Sequence, residues 1–144
     1  MNTAALARNR YLNDSVVTAS PARLVVMLYD ALVRDLGIAQ EALTQRDAVR
    51  AHERLVKAQA IVTELHDSLD LSVWDGAAGL AALYTYVLEQ LVAANVAKDP
   101  APVEAALDVV RPLRDQFTAM ETALGQMRSQ SQWLAGQISS LSAS

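Results

Sequence analysis

The residues that could do chemistry are few, and their spacing argues against it. His52 and His66 stand fourteen residues apart; on one helix that is about 21 Å, too far to share an ion. A carboxylate di-metal site in a helical bundle needs inward Glu residues and paired Glu-x-x-His motifs, yet Val49 stands three residues before His52 and Thr63 three before His66. His52-Glu53 does not continue to the metalloprotease pattern, because Val56 occupies the second histidine's place. No Gly-x-Ser-x-Gly, P-loop or dinucleotide fingerprint is present, and Gly76 with Gly79 reads as the turn before a helix. The absence of cysteine excludes disulfides, thiolate catalysis and zinc-thiolate sites. No catalytic residue, metal ligand or cofactor is expected, and both histidines read as surface or boundary residues.

Whatever the chain does must then come from the shape and surface of its elements. Its 144 residues suit one domain with a real core. With 52% hydrophobic residues, 19% charged, 5 Gly and 4 Pro, a packed helical protein is favoured over disorder. The net charge of -4 disfavours nucleic acid, which is held largely by clustered Lys and Arg. Asn9, Arg10, Asn13 and Asp14 interrupt any signal-peptide core. The weakly polar run from Gly76 to Leu88 is too short to span a bilayer, so a soluble protein without stable membrane insertion is expected.

Residues 1–19 hold Leu6, Tyr11, Leu12, Val16 and Val17, too little for a stable helix without a surface to borrow. Ser20 as N-cap and Pro21 at the first helical position start a long amphipathic helix through Val25, Leu28, Leu32, Leu36, Ala39 and Leu43, ending near 45–47. Asp47 caps a second, with Ala51, Leu55, Ala58, Val62, Leu65 and Leu69 in a four-three seam that reaches about Leu71. The third carries Leu80, Tyr84, Val87, Leu91 and Ala94 on one stripe. Leu83, Tyr86, Leu88 and Val92 widen its apolar arc, so it is buried on two sides or keeps one side for a partner.

Lys98-Asp99-Pro100-Ala101-Pro102 starts the last helix, whose seam runs Val103, Ala106, Val110, Leu113, Phe117, Met120, Leu124, Met127. Pro112 interrupts its hydrogen bonding and predicts a bend. The Ser/Gln-rich tail 129–144, with Trp133, Leu134, Ile138 and Leu141, is frayed or a weak amphipathic helix. Near-equal helices with short links predict an all-α, antiparallel up-down four-helix bundle over residues 1–128, with 1–19 as an N-terminal arm.

Apolar residues exceed what the seams use: Val26, Met27, Val33, Ile38, Val56, Ile61, Leu83, Leu88 and Val92 lie off them. A large exposed remainder would mark a partner site. Tyr84 and Tyr86 fit the core or boundary, or the lining of a groove, and Trp133 caps a hydrophobic edge or dangles.

Five segments resemble one known family. They are Thr18-Ala19-Ser20-Pro21 leading to Leu24 and Met27-Leu28-Tyr29-Asp30 with Tyr11 upstream, Lys57-Ala58-Gln59-x-Ile61-x-x-Glu64-Leu65, Ser68-Leu69-Asp70, Leu83-Tyr84-x-Tyr86 continuing to Leu91 and Ala94-Asn95, and Leu113-Arg114-Asp115-x-Phe117. Together and in order, they resemble the FliS-type flagellar secretion chaperones. The resemblance implies a four-helix bundle that binds the disordered C-terminal region of flagellin in the cytoplasm, prevents premature polymerisation and delivers the subunit to the flagellar export apparatus. It also implies that the segment around Tyr11 covers a client groove and gives way to the client. Pro112 and the tail after Arg128 depart from that pattern. The matched segments and the off-seam surplus single out Tyr11, Met27, Tyr29, Ile61, Tyr84, Leu88 and Asn95 as partner-binding residues. A generic helical adaptor for another amphipathic helix is the alternative, though it gives no reason for Tyr11 and the 18–30 junction to occur together.

Overall fold

Ser20 Oγ accepts a hydrogen bond from the Arg23 amide at 3.1 Å, and Pro21 occupies the first helical position, where its missing N–H is no loss. From that start, the computed structural model describes residues 20–72 and 75–143, which hold four helices in the order α1 Pro21–Thr44, α2 Ala48–Asp67, α3 Ala77–Ala97 and α4 Ala101–Ala143. The expected arm 1–19, with Tyr11, lies outside the described residues.

The two short links are built alike. At the end of α1 the Asp47 amide donates to the Ala42 carbonyl at 2.8 Å and the Arg46 amide to the Leu43 carbonyl at 3.2 Å, with Arg46 left-handed at φ 60. This is a Schellman stop with arginine where glycine is usual. Asp47 then caps α2 by accepting from the Arg50 amide at 3.2 Å. The end of α3 repeats the device, with Lys98 left-handed at φ 54, the Asp99 amide donating to the Ala94 carbonyl, and Asp99 Oδ1 accepting from the Ala101 amide at 2.9 Å. A basic residue that reverses the chain and an aspartate that restarts it need only 45–47 and 98–100 for each U-turn.

α1 packs on α2 and α4, and α3 also packs on α2 and α4, leaving α1 and α3 diagonal. Gln40 donates to Glu104, Tyr29 stacks on Phe117 at 5.1 Å between ring centroids, and Arg23 meets Glu121 at 3.5 Å. The number on α4 rises as that on α1 falls, which fixes the antiparallel register of an up-down bundle. Leu32, Leu36, Leu55, Val62, Val87, Leu91, Val103 and Leu107 fill the core, with Ala39, Ala42, Ala51, Ala58, Ala94 and Ala106 letting the helices approach closely.

Two boundaries differ from those read in the sequence, and the tail takes the helical one of its two alternatives. α2 ends at Asp67, a turn before Leu71, because Ser68 Oγ donates back to the Leu65 carbonyl and Asp70 Oδ1 accepts from both the amide and the hydroxyl of Ser72. Gly79 lies inside α3 instead of in the turn before it. α4 continues through Pro112 and past residue 128 to Ala143 as one helix, with Pro112 and Asp108 exposed so that water can serve the carbonyl the proline leaves without an N–H.

α3 also extends further than the Gly76–Leu88 run, and its 21 residues are long and apolar enough to cross a membrane by length and composition. Its stripe of Leu80, Tyr84, Val87, Leu91 and Ala94 is instead buried against the neighbouring helices.

Candidate partner-binding surface

α3 buries only that one stripe. Leu83, Tyr86, Val92 and Val96 remain exposed on the rest of its circumference, Val92 at 49% and Val96 at 81%. The seam with α2 is marked by a hydrogen bond between the His52 ring and the Asn95 side chain, 3.0 Å from Nδ2 to Nδ1. Lys98 Nζ donates to Asn95 Oδ1 at 2.6 Å, which holds that amide in place. Leu88, Val92 and Asn95, at i, i+4 and i+7, share the side of α3 that this bond turns toward α2. Val56, exposed one turn beyond His52, faces the same seam from α2. The result is a shallow apolar band along α2 and α3, with Leu88 half-buried at its floor and one polar bridge near its end.

Of the seven residues expected to meet a partner, three lie in the interior. Tyr29 is 0%, Ile61 2% and Tyr84 3% exposed, because each falls on the inward stripe of its helix. Tyr29 and Tyr84 hydrogen-bond through their hydroxyls across the diagonal of the bundle, joining α1 to α3. Burial pushes both phenols above their ordinary range, most strongly Tyr29, where the neighbouring Tyr84 adds to the effect. The pair is therefore a neutral internal strut. Leu88 and Asn95 come together at the α2–α3 seam, whereas Met27 is half-buried on α1, diagonal to them. Tyr11 lies outside the described residues. Val92 was among the off-seam surplus but not among those seven. Val96 was missed altogether, although it extends the outward arc of α3 by one turn from Val92.

Among the described residues, no group of three His, Asp or Glu side chains is placed to hold a metal. The buried acid Asp35 is paired with Arg54 at 3.1 Å, which ties α1 to α2.

Comparison with known proteins gives the family to which a bundle with this apolar band belongs. The model of the family described as flagellar protein FliS matches residues 3–124. This chain belongs to the FliS family. Among curated relatives, the flagellar secretion chaperone FliS of Bacillus subtilis (strain 168) is 33% identical over 107 residues, 74% of this chain and 80% of that protein. That of Salmonella typhimurium is 34% identical over 95 residues, 65% of this chain and 70% of the relative. The Vibrio cholerae protein of the same name is 27% identical over 109 residues, 74% and 79% of the two chains. The FliS family is one of flagellar secretion chaperones and is not enzymatic. Its match stops at residue 124, close to Glu121, where α4 passes the start of α1.

Proposed function

We propose that the protein binds the disordered C-terminal region of flagellin in the cytoplasm, keeps it from polymerising, and delivers it to the flagellar export apparatus. Family membership supports this reading, and the observation that carries it is the exposed apolar band of α3 with Val56 of α2. A disordered client gains helix as it lays apolar side chains on such a band, and the ordering entropy is offset by the area removed from water. In this reading Leu88, Val92 and Asn95 touch the client, Met27 serves a second stretch of a client long enough to wrap the bundle, and Tyr29, Ile61 and Tyr84 hold the helices that present those contacts. Tyr11 and its segment cover the band until the client displaces them.

The test is titration with a peptide spanning the flagellin C-terminal region, followed by circular dichroism and calorimetry. Helicity should rise on mixing and saturate at one to one. Val92→Asp, on the exposed arc, should weaken binding at least tenfold, about 1.4 kcal/mol, while leaving the thermal midpoint within a few degrees of the parent. No binding at roughly tens of micromolar, a Kd range of about -6 to -7 kcal/mol, would remove the proposal.

A further inference from the structure

α4 outruns the bundle. Arg23, at the start of α1, is level with Glu121, so residues 122–143 project about 33 Å beyond the first turn of α1. Among the described residues, nothing after Gly125 is even half-buried. The projecting segment is a poor helix former by itself, since Thr122, Gly125, Ser129, Ser131, Gly136, Ser139, Ser140 and Ser142 all weaken it. Its apolar residues are nevertheless ordered. Val103, Ala106, Val110, Leu113 and Phe117, which pack α4 into the bundle, begin a strict alternation of threes and fours. That alternation continues through Met120, Leu124, Met127, Ser131, Leu134, Ile138 and Leu141 without losing phase. A sustained period of 3.5 calls for another helix wound against it in a left-handed supercoil. Met120, Leu124, Met127, Leu134 and Ile138 are all exposed.

We propose that the projecting part of α4 pairs with the same segment of a second copy, as an antiparallel two-stranded coiled coil. Three observations select this occupant. The seam is the bundle's own helix-packing seam continued, so its natural complement is a helix of equal period. Residues 1–19 carry that spacing only from Leu12 through Val16 to Ala19, a run too short to match the seam. Charge cannot encode a foreign partner, since Arg128 is the only charged residue in 122–143.

Sterics set the direction. Phe117 faces its own bundle through Tyr29, so the seam leaves the bundle looking over the bundle's end. A parallel copy would have to place its bundle where the first one stands. An antiparallel copy puts its bundle at the far end, with Leu124 against Leu141 of the second copy, Met127 against Ile138 and Ser131 against Leu134, as a two-fold isologous contact clear of both bundles.

The experiment is mass measurement of the full chain by light scattering and sedimentation between about 1 and 100 µM, a range bracketing typical weak-dimer Kd values. The parent should pass from 15.5 kDa to twice that mass. Met127→Glu/Ile138→Glu should stay at the single mass with an unchanged bundle melting transition, because both sites lie clear of the core. A parent chain that remains single throughout overturns the proposal, and this is also the result if residues 1–19 cover the seam. A variant that still doubles overturns it as well, as does any assembly larger than two. For direction, Met127→Cys mixed with Ile138→Cys should give the mixed disulfide. Preferential self-crosslinking of Met127→Cys would overturn the antiparallel arrangement.

Discussion

Tyr29 and Tyr84 show how two residues of a matched sequence signature can be enclosed by their own fold and bonded to one another. Their hydroxyls satisfy one another in an apolar interior, and the cost of that burial shows only when one is removed. Tyr29→Phe should lower stability by about 1–3 kcal/mol, because it leaves the Tyr84 hydroxyl buried without its partner, whereas Tyr29→Phe/Tyr84→Phe should fall within about 1 kcal/mol of the parent. Urea denaturation at neutral pH separates the two outcomes. Both phenols titrate above their ordinary range in the fold. The unfolded chain therefore loses these protons first, near pH 10, so their contribution is complete below that pH and declines as pH climbs beyond it toward the raised folded values. The double variant should lose less stability than the parent above about pH 10 and respond identically below it.

At the scale of elements, the decisive pieces are the two basic-aspartate links. Arg46 and Lys98 adopt a left-handed backbone that a side chain disfavours, and they do so because the Schellman bonds and the aspartate caps on either side leave no other path. Arg46→Gly should raise stability by about 0.5–1 kcal/mol, the relief of the left-handed strain less the extra entropy of an unfolded glycine; a drop in the denaturation midpoint would show that the arginine side chain contributes more than its backbone loses. Asp47 and Asp99 were legible as caps because an aspartate before an apolar repeat has few other uses. The end of α2 was not. Leu69 and Leu71 prolong the seam in the sequence, and only the side-chain bonds of Ser68, Asp70 and Ser72 show where the backbone leaves the helix.

The molecule as a whole separates into a packed bundle and a bare helical extension. Among the described residues none after Val110 is buried, and Phe117, stacked on Tyr29, is the last aromatic tied to the core. A chain ending at Leu124 should therefore keep the urea midpoint of the bundle within about 0.5 kcal/mol while losing far-UV ellipticity in proportion to the helix removed. A lower midpoint would show that the extension is coupled to the bundle. The apolar band of α3 belongs to this scale too, since it exists only because α3 is greasy nearly all round while the bundle can enclose a single stripe of it.

What the sequence determined by itself was periodic or local: four helices, their seams, three of their caps, the lack of any constellation for catalysis, and the family through its matched segments. These are short-range properties, carried by a 3.5-residue repeat or by side chains within a few positions of the backbone they cap. Tertiary structure alone decided which off-seam residues were interior and which exterior. Ile61 and Val92 look alike as surplus in the sequence, yet Ile61 is closed off by neighbouring helices while Val92 faces solvent. That outcome depends on the rotation of each helix about its own axis, which follows from contacts such as Asp35–Arg54, Tyr29–Tyr84 and His52–Asn95 between residues far apart in the chain.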